Sequence, residues 1–242
     1  MRYRALVEYD GTRFFGFQRQ PDQPTIQGEL EQSISGNTGE AISISFAGRT
    51  DAGVHADGQV IAFNTGWTHG PGALTRATNA SLPAEISVRD IQVVDDDFHP
   101  RFDAKRRNYR YYIYNSQVRK PSKRLYSWHV KQELNLEEMN LAAKSILGRR
   151  DFAAFGQAPQ GSNTVREVNR VEWFRCGEMI CFDIEANAFL YRMVRSLVGT
   201  LKHVGEGKWS AARFKQTAAS LDRSQAGQTA PAHGLYLISV AY

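Results

Sequence analysis

Apolar and polar positions change period along this chain, and the changes mark its elements. Residues 2–9 alternate in the two-residue rhythm of a strand with one buried face. After Pro24-Thr25 the period lengthens, and Ile26, Leu30 and Ile34 fall on one stripe of a helix. Strands follow near 41–48, through Ile42, Ile44 and Phe46, and near 57–64. A short helix over 73–80 stops before Pro83, and a strand over 86–94 closes the first run. The order then recurs. A strand over 104–114 leads through a basic loop with Pro121 to a helix that opens at Asn135, where Glu138 completes a capping box, and ends at Gly148. A hairpin over 168–187 precedes a helix over 189–204 with Leu190, Met193, Val194, Leu197 and Leu201 inward. A further helix over 209–220 leads to a last strand, 235–241. Two β-α-β-β-α-β runs predict an α+β protein of two ferredoxin-like halves, 1–103 and 104–242, whose mostly antiparallel sheets flank a central cleft. The halves share a pattern and no visible sequence identity.

Charge sharpens this division. Residues 1–100 hold 7 Lys+Arg against 13 Asp+Glu, whereas residues 101–242 hold 23 against 12. Nine cations crowd into 101–124 (Arg101, Lys105, Arg106, Arg107, Arg110, Arg119, Lys120, Lys123 and Arg124) against the single acid Asp103. Tyr109, Tyr111, Tyr112 and Tyr114 are interleaved with them. Cations that follow phosphates and aromatics that stack on bases make up a nucleic-acid surface, which we weigh above a merely solvated charged face. The N-terminus reads as a strand and has no apolar run like that of a signal peptide. No stretch approaches the ~18 apolar residues of a membrane span, so the pattern predicts a cytoplasmic protein. Cys176 and Cys181 flank a two-residue turn, Gly177-Glu178, which would pair Cys176 with Met179 and Cys181 with Phe174. That register sets the thiols off from one another and argues against a disulfide. Neither they nor His55 and His99 have neighbours at metal-ligand spacing, and no metal is expected.

The densest chemistry lies in Phe46-Ala47-Gly48-Arg49-Thr50-Asp51-Ala52-Gly53-Val54-His55-Ala56. Glycines on both sides of a cation and a carboxylate allow a sharp turn and close approach of a ligand. A bare Arg-x-Asp is more often a surface ion pair in a turn. The whole string, however, closely resembles the catalytic motif of the tRNA pseudouridine synthase family that modifies the anticodon arm. The resemblance continues through Tyr9-Asp10-Gly11, Phe15-Gly16-Phe17-Gln18-Arg19-Gln20, Asp97-Phe98-His99-Pro100-Arg101-Phe102, Arg107-Asn108-Tyr109-Arg110-Tyr111, Ala186–Arg195 and Gly234-Leu235-Tyr236-Leu237. Phe17 stands where the family usually has Trp, and Arg192 where it more often has His.

The resemblance implies isomerisation of uridine to pseudouridine at tRNA positions 38, 39 and 40, with no cofactor and no metal. Asp51 would be the essential carboxylate, acting at the sugar or at C6 of uracil. Arg195 would be its paired cation and Tyr109 the aromatic stacked on the target base. Arg49 would hold the extruded nucleotide or fill its gap, and His55, Arg107 and Leu190 would line the substrate site. The family also implies a homodimer with tRNA lying across both subunits. Two other readings compete. A non-catalytic pair of RRM-like modules would explain the charge and the tyrosines but leaves Asp51 without a purpose. A glycosidase would need a second carboxylate ~5–9 Å from Asp51, and Asp57 sits on a strand leaving the site.

Overall fold

The first strand, β1 (Arg2–Tyr9), buries Tyr3, Ala5, Val7 and Tyr9 and turns the intervening residues outward, as its alternation requires. In a computed structural model that describes all 242 residues, the chain divides into two compact units, Met1–Lys105 with Tyr236–Tyr242, and Arg106–Leu235. It is a mixed α+β protein with mostly antiparallel strand pairing and five α-helices. No helix is long and apolar enough to cross a membrane.

In the first unit, α1 (Ile26–Thr38) follows β1. The hydroxyl of Thr25 caps it by accepting the N–H of Gly28, and Gly39 ends it at φ +71°. Then come β2 (Ser45–Phe46), β3 (His55–Asn64), α2 (Pro71–Ser81) and β4 (Ile86–Val94). β1 lies between β4 and β3, antiparallel to both, and β2 pairs with the far end of β3. The last strand, β10 (Leu235–Ala241), runs parallel to β3 at Tyr236–His55 and Leu237–Ala56. α1 packs on α2, and α2 on β4. The apolar stripe of α1 (Ile26, Leu30, Ile34) and Leu74 of α2 are buried. The strand expected over 41–48 shrinks to two residues. Ile42 and Ile44 are buried, but the Ile42 N–H goes to the Ser35 hydroxyl and that of Ile44 to the Glu31 carboxylate rather than to a strand.

In the second unit, β5 (Arg106–Asn115), β9 (Met179–Ala186), β8 (Val165–Cys176) and β7 (Gly148–Asp151) form an antiparallel run in that order, with β6 (Trp128–Val130) parallel to β5. α3 (Leu136–Ala143) packs on α4 (Met193–Gly205), on α5 (Ala211–Ser220) and on β8. The Asn135 side chain caps α3 by accepting the N–H groups of Glu137 and Glu138, but the reciprocal half of a capping box is absent: the Asn135 N–H donates to Gly205 O. α3 is also shorter than its pattern suggested. It tightens into a single 3-10 turn at Lys144–Ile146, and Gly148, at φ +81°, begins β7. The β8–β9 register matches expectation, Cys176 opposite Met179 and Phe174 opposite Cys181, and both thiols are free. Burial, with Cys176 beside it, pushes the Cys181 thiol up to about 12.

The tyrosine-rich strand corrects one expectation. Tyr111 is fully buried within the second unit, so strand alternation removes it from any open stacking surface, while Tyr109, on the same face, is 7% exposed. Arg110, on the opposite face, is committed to protein. It grips Asp183 through Nε (2.6 Å) and Nη2 (2.8 Å), while Arg170 reaches the same carboxylate at 3.2 Å. Asp183 is only 3% exposed, and its hydrogen bonds hold Arg110 charged well above the ordinary guanidinium range.

Candidate active site

In the first unit, Asp51 and Arg49 lie in the loop between β2 and β3, and the opening segment of the chain forms the bed beneath them. The Phe17 N–H donates to Thr50 O (3.1 Å), and the Tyr9 hydroxyl meets Thr50 Oγ1 at 2.7 Å in a buried contact. The Val54 N–H returns to Asp51 O (3.1 Å), closing the turn that carries the carboxylate. Two glycines make this approach possible. A Cβ at Gly11 would lie 2.0 Å from Val54 O, and one at Gly16, where φ is +95°, would lie 2.8 Å from Thr50 O. At the start of the loop the Gln59 side chain pairs with the peptide groups of Gly48, accepting its N–H (3.3 Å) and donating to its carbonyl (2.7 Å). Thr50 is buried, Asp51 half-buried and Arg49 exposed. His55 is buried at the head of β3, its ring stacked on Tyr236 (4.5 Å between centroids). Its Nδ1 accepts the Gly11 N–H (3.2 Å) and lies 3.1 Å from Asp10 Oδ1.

The second unit holds the other residues singled out in the sequence. Arg107 and Tyr109 stand one turn of the pleat apart on β5, opposite Ala186 and Ile184 of β9. Arg107 is buried and donates through Nη1 to Asn187 O (2.8 Å). The Tyr109 ring meets Phe189 edge-on, with centroids 4.9 Å apart. Leu190 is buried below the loop that enters α4, close enough to Gly156 that a Cβ there would be 2.7 Å from Leu190 Cβ. That loop ends at Arg192, which holds a left-handed φ of +60° and lays its guanidinium over the ring of Tyr191 at 4.8 Å. Helix α4 therefore starts four residues later than its apolar pattern suggested.

Arg195, half-buried in the first turn of α4, is anchored from both ends of the residue. Its Nε donates to Ala230 O (2.8 Å), and its carbonyl accepts the Ala230 N–H (3.0 Å). The neighbouring Pro231 carbonyl accepts the hydroxyl of Tyr111 (2.8 Å). Burial raises the Tyr111 phenol well above its ordinary range, against the opposing pull of Arg195, so it stays a donor at any physiological pH. The structure thus brings Asp51, Arg49 and His55 together in the first unit, and Arg107, Tyr109, Leu190 and Arg195 in the second. Gln59 and the 228–231 segment escaped the sequence reading, and Tyr9 entered it only as part of a motif, with no role. The only signal for Gln59 was an amide at the head of the apolar run Val60-Ile61-Ala62 of β3. The described structure contains no cluster of three or more His, Cys, Asp or Glu residues able to hold a metal ion.

With this geometry in hand, comparison with known proteins identifies the class. The family model described as tRNA pseudouridine synthase matches residues 5–103 and 142–242, and the chain belongs to that family. Asp51 and Arg195 fall inside the matched stretches, and Arg107 and Tyr109 between them. Among curated relatives, the tRNA pseudouridine synthase A of Shewanella loihica is 45% identical over 243 residues, covering all of this chain and 93% of the relative. Those of Shewanella pealeana and Shewanella piezotolerans are 45% and 43% identical, with the same coverage.

Proposed function

We propose that this chain isomerises uridine to pseudouridine in the anticodon stem-loop of tRNA, at positions 38, 39 and 40. In this reading the N1–C1′ bond of the nucleotide breaks, the uracil turns in place, and C5 bonds to C1′. The C5 proton passes to solvent while N1 gains one. Asp51 is the catalytic carboxylate, as nucleophile or as base toward the sugar or the ring. Arg195 is its cationic partner, whose charge offsets that of the carboxylate when a base covers it. Tyr109 stacks on the uracil against an apolar wall that includes Leu190. Arg49, exposed beside Asp51, holds the extruded nucleotide or fills its gap, since taking a base out of its stack costs a few kcal/mol. His55 and Arg107 complete the substrate site. The enzyme is read as a cytoplasmic homodimer of two-halved, ferredoxin-like subunits, with tRNA recognised by shape.

The observation that carries the reading is the family match over both units, with Asp51 on a loop whose backbone is pinned on each side. The test is tritium release to water from unmodified tRNA labelled at uracil C5. Wild type should release the label from the anticodon arm, and Asp51→Asn should release none above background. A binding module would release nothing in either form, and a glycosidase would yield free uracil.

A further inference from the structure

The main-chain ladder between β2 and β3 runs Ser45–Ala62 and Phe46–Ile61, and its last bond is the Ala47 N–H to Val60 O (2.9 Å). One step further, Gly48 would oppose Gln59, but there the chain leaves the sheet to form the loop bearing Arg49 and Asp51. Peptide groups stranded in such a place cost free energy unless something satisfies them. Gln59 does so with its side chain. Its amide offers one acceptor and one donor in a plane, the same pair a partner strand's peptide would present, and meets both the N–H and the carbonyl of Gly48. Gln59 is 0% exposed, on the β3 face that places it opposite Val7, so its amide has no water to turn to.

We propose that Gln59 is a positioning residue for the isomerisation: its side chain stands in for a strand, fixing the backbone one residue before Arg49 and three before Asp51. The buried contact of Tyr9 with Thr50 fixes the middle of the same loop, and the Phe17 N–H holds its carbonyl side. Catalytic side chains on loops are only as well aimed as the backbone that bears them, and a shift of about 1 Å costs about a hundredfold in rate. This inference rests on the proposed reaction for its rate readout, but the clamp also has a readout of its own.

The experiment compares wild type, Gln59→Met and Gln59→Glu. Methionine keeps the volume and removes both hydrogen bonds. Single-turnover tritium release should fall roughly tenfold to a hundredfold in Gln59→Met, while the Kd for tRNA stays within about twofold and amide-hydrogen exchange over residues 47–52 quickens. The Gln59→Glu variant supplies the sharper signature. As the neutral acid, the introduced carboxyl can donate to Gly48 O and accept from its N–H; ionised, it faces that carbonyl with only acceptors. Its rate, normalised to wild type, should therefore recover as pH falls, with little change in tRNA affinity. Ile34→Val, in the core of α1 and outside the loop, controls for lost stability and should lower Tm without slowing release. Unchanged loop exchange in Gln59→Met overturns the clamp whatever the reaction. So does a wild-type rate, a parallel loss of rate and tRNA affinity, or a Gln59→Glu pH profile that follows wild type. A wild type that releases no tritium overturns the proposed reaction, and the exchange readout still decides the clamp.

Discussion

Gly199→Ala should loosen the second unit around Arg195, the proposed cationic partner of Asp51. A Cβ on Gly199 of α4 would lie 1.7 Å from Gln228 O, 2.9 Å from its carbonyl carbon and 3.2 Å from Ala230 N, against ordinary contact at 3.4 Å or beyond. Every one of these atoms is backbone, so no rotamer change relieves the clash, and the 228–231 segment must retreat by more than an ångström. Overpacking of this kind costs about 1–3 kcal/mol. The retreat also strains the two Arg195–Ala230 bonds, the Tyr111–Pro231 bond and the Gly227 N–H to Thr200 Oγ1 (3.0 Å), each worth about 0.5–1.5 kcal/mol. Helix propensity opposes them, returning about 1 kcal/mol for alanine over glycine. The net is about 2–4 kcal/mol, and with about 2–4 °C per kcal/mol for a chain of this size the melting temperature should fall by roughly 5–15 °C. Because Arg195 loses its fixed Nε contact, tritium release measured well below the melting point should fall as well. A variant that melts at or above wild type would refute the reasoning, since propensity would then outweigh the packing of 228–231.

Two further perturbations separate structure from chemistry. Asp183→Ala leaves Arg110 facing a desolvated gap. Because Arg110 and Arg170 keep part of their surface in water, the cost should be about 2–3 kcal/mol rather than the 3–5 of a fully buried pair, read by urea denaturation; a change below about 0.5 kcal/mol would contradict it. The end of α4 should make stability depend on pH. Burial, aided by Lys202, lowers the His203 pKa, so the fold prefers the neutral ring; its contribution is complete above the unfolded value of about 6.5 and is lost as pH falls below it. Although its own burial works the other way, Lys202 and Lys208 hold the adjacent Glu206 below the ordinary carboxylate range, so it stays ionised through that window. The melting temperature should decline between pH 7.5 and 5.5, less steeply in His203→Gln, and equal slopes would exclude His203 as the group responsible.

The fold was most legible where burial is one-sided. Alternation in β1, the stripe of α1 and the Gly177-Glu178 hairpin with its cysteine register all follow from period and turn chemistry. Pattern misled where something other than periodic burial decides. Ile42 and Ile44 alternate like a strand, yet their N–H groups are taken by the side chains of Ser35 and Glu31 on α1, so no strand forms there. Phe189 and Leu190 continue the apolar pattern of α4, but the left-handed turn at Arg192 keeps them out of it. Gly148 looked like the end of α3, but the helix stops at Ala143, the chain tightens into a 3-10 turn at Lys144–Ile146, and Gly148 opens β7. Nothing in Leu235–Ala241 says that it should run parallel to β3, because a strand pattern carries no partner label.

The candidate site divides along the same line. Residues proposed to act on the substrate carry a chemical type, so Asp51 and Arg49 stand out from their neighbours in a string. Residues that aim them act through the backbone and leave almost no trace in composition. Gly11 and Gly16 read as ordinary turn glycines, yet they are small because the carbonyls of Val54 and Thr50 pass where a Cβ would be. Gln59 reads as one more polar residue before the apolar run of β3, yet the ladder ends at Ala47 and a buried side-chain amide is the group that can continue it. In both cases the odd residue type answers to the backbone of another segment. Where a loop must leave a sheet and still hold a carboxylate still, the sheet supplies the missing partner from a side chain.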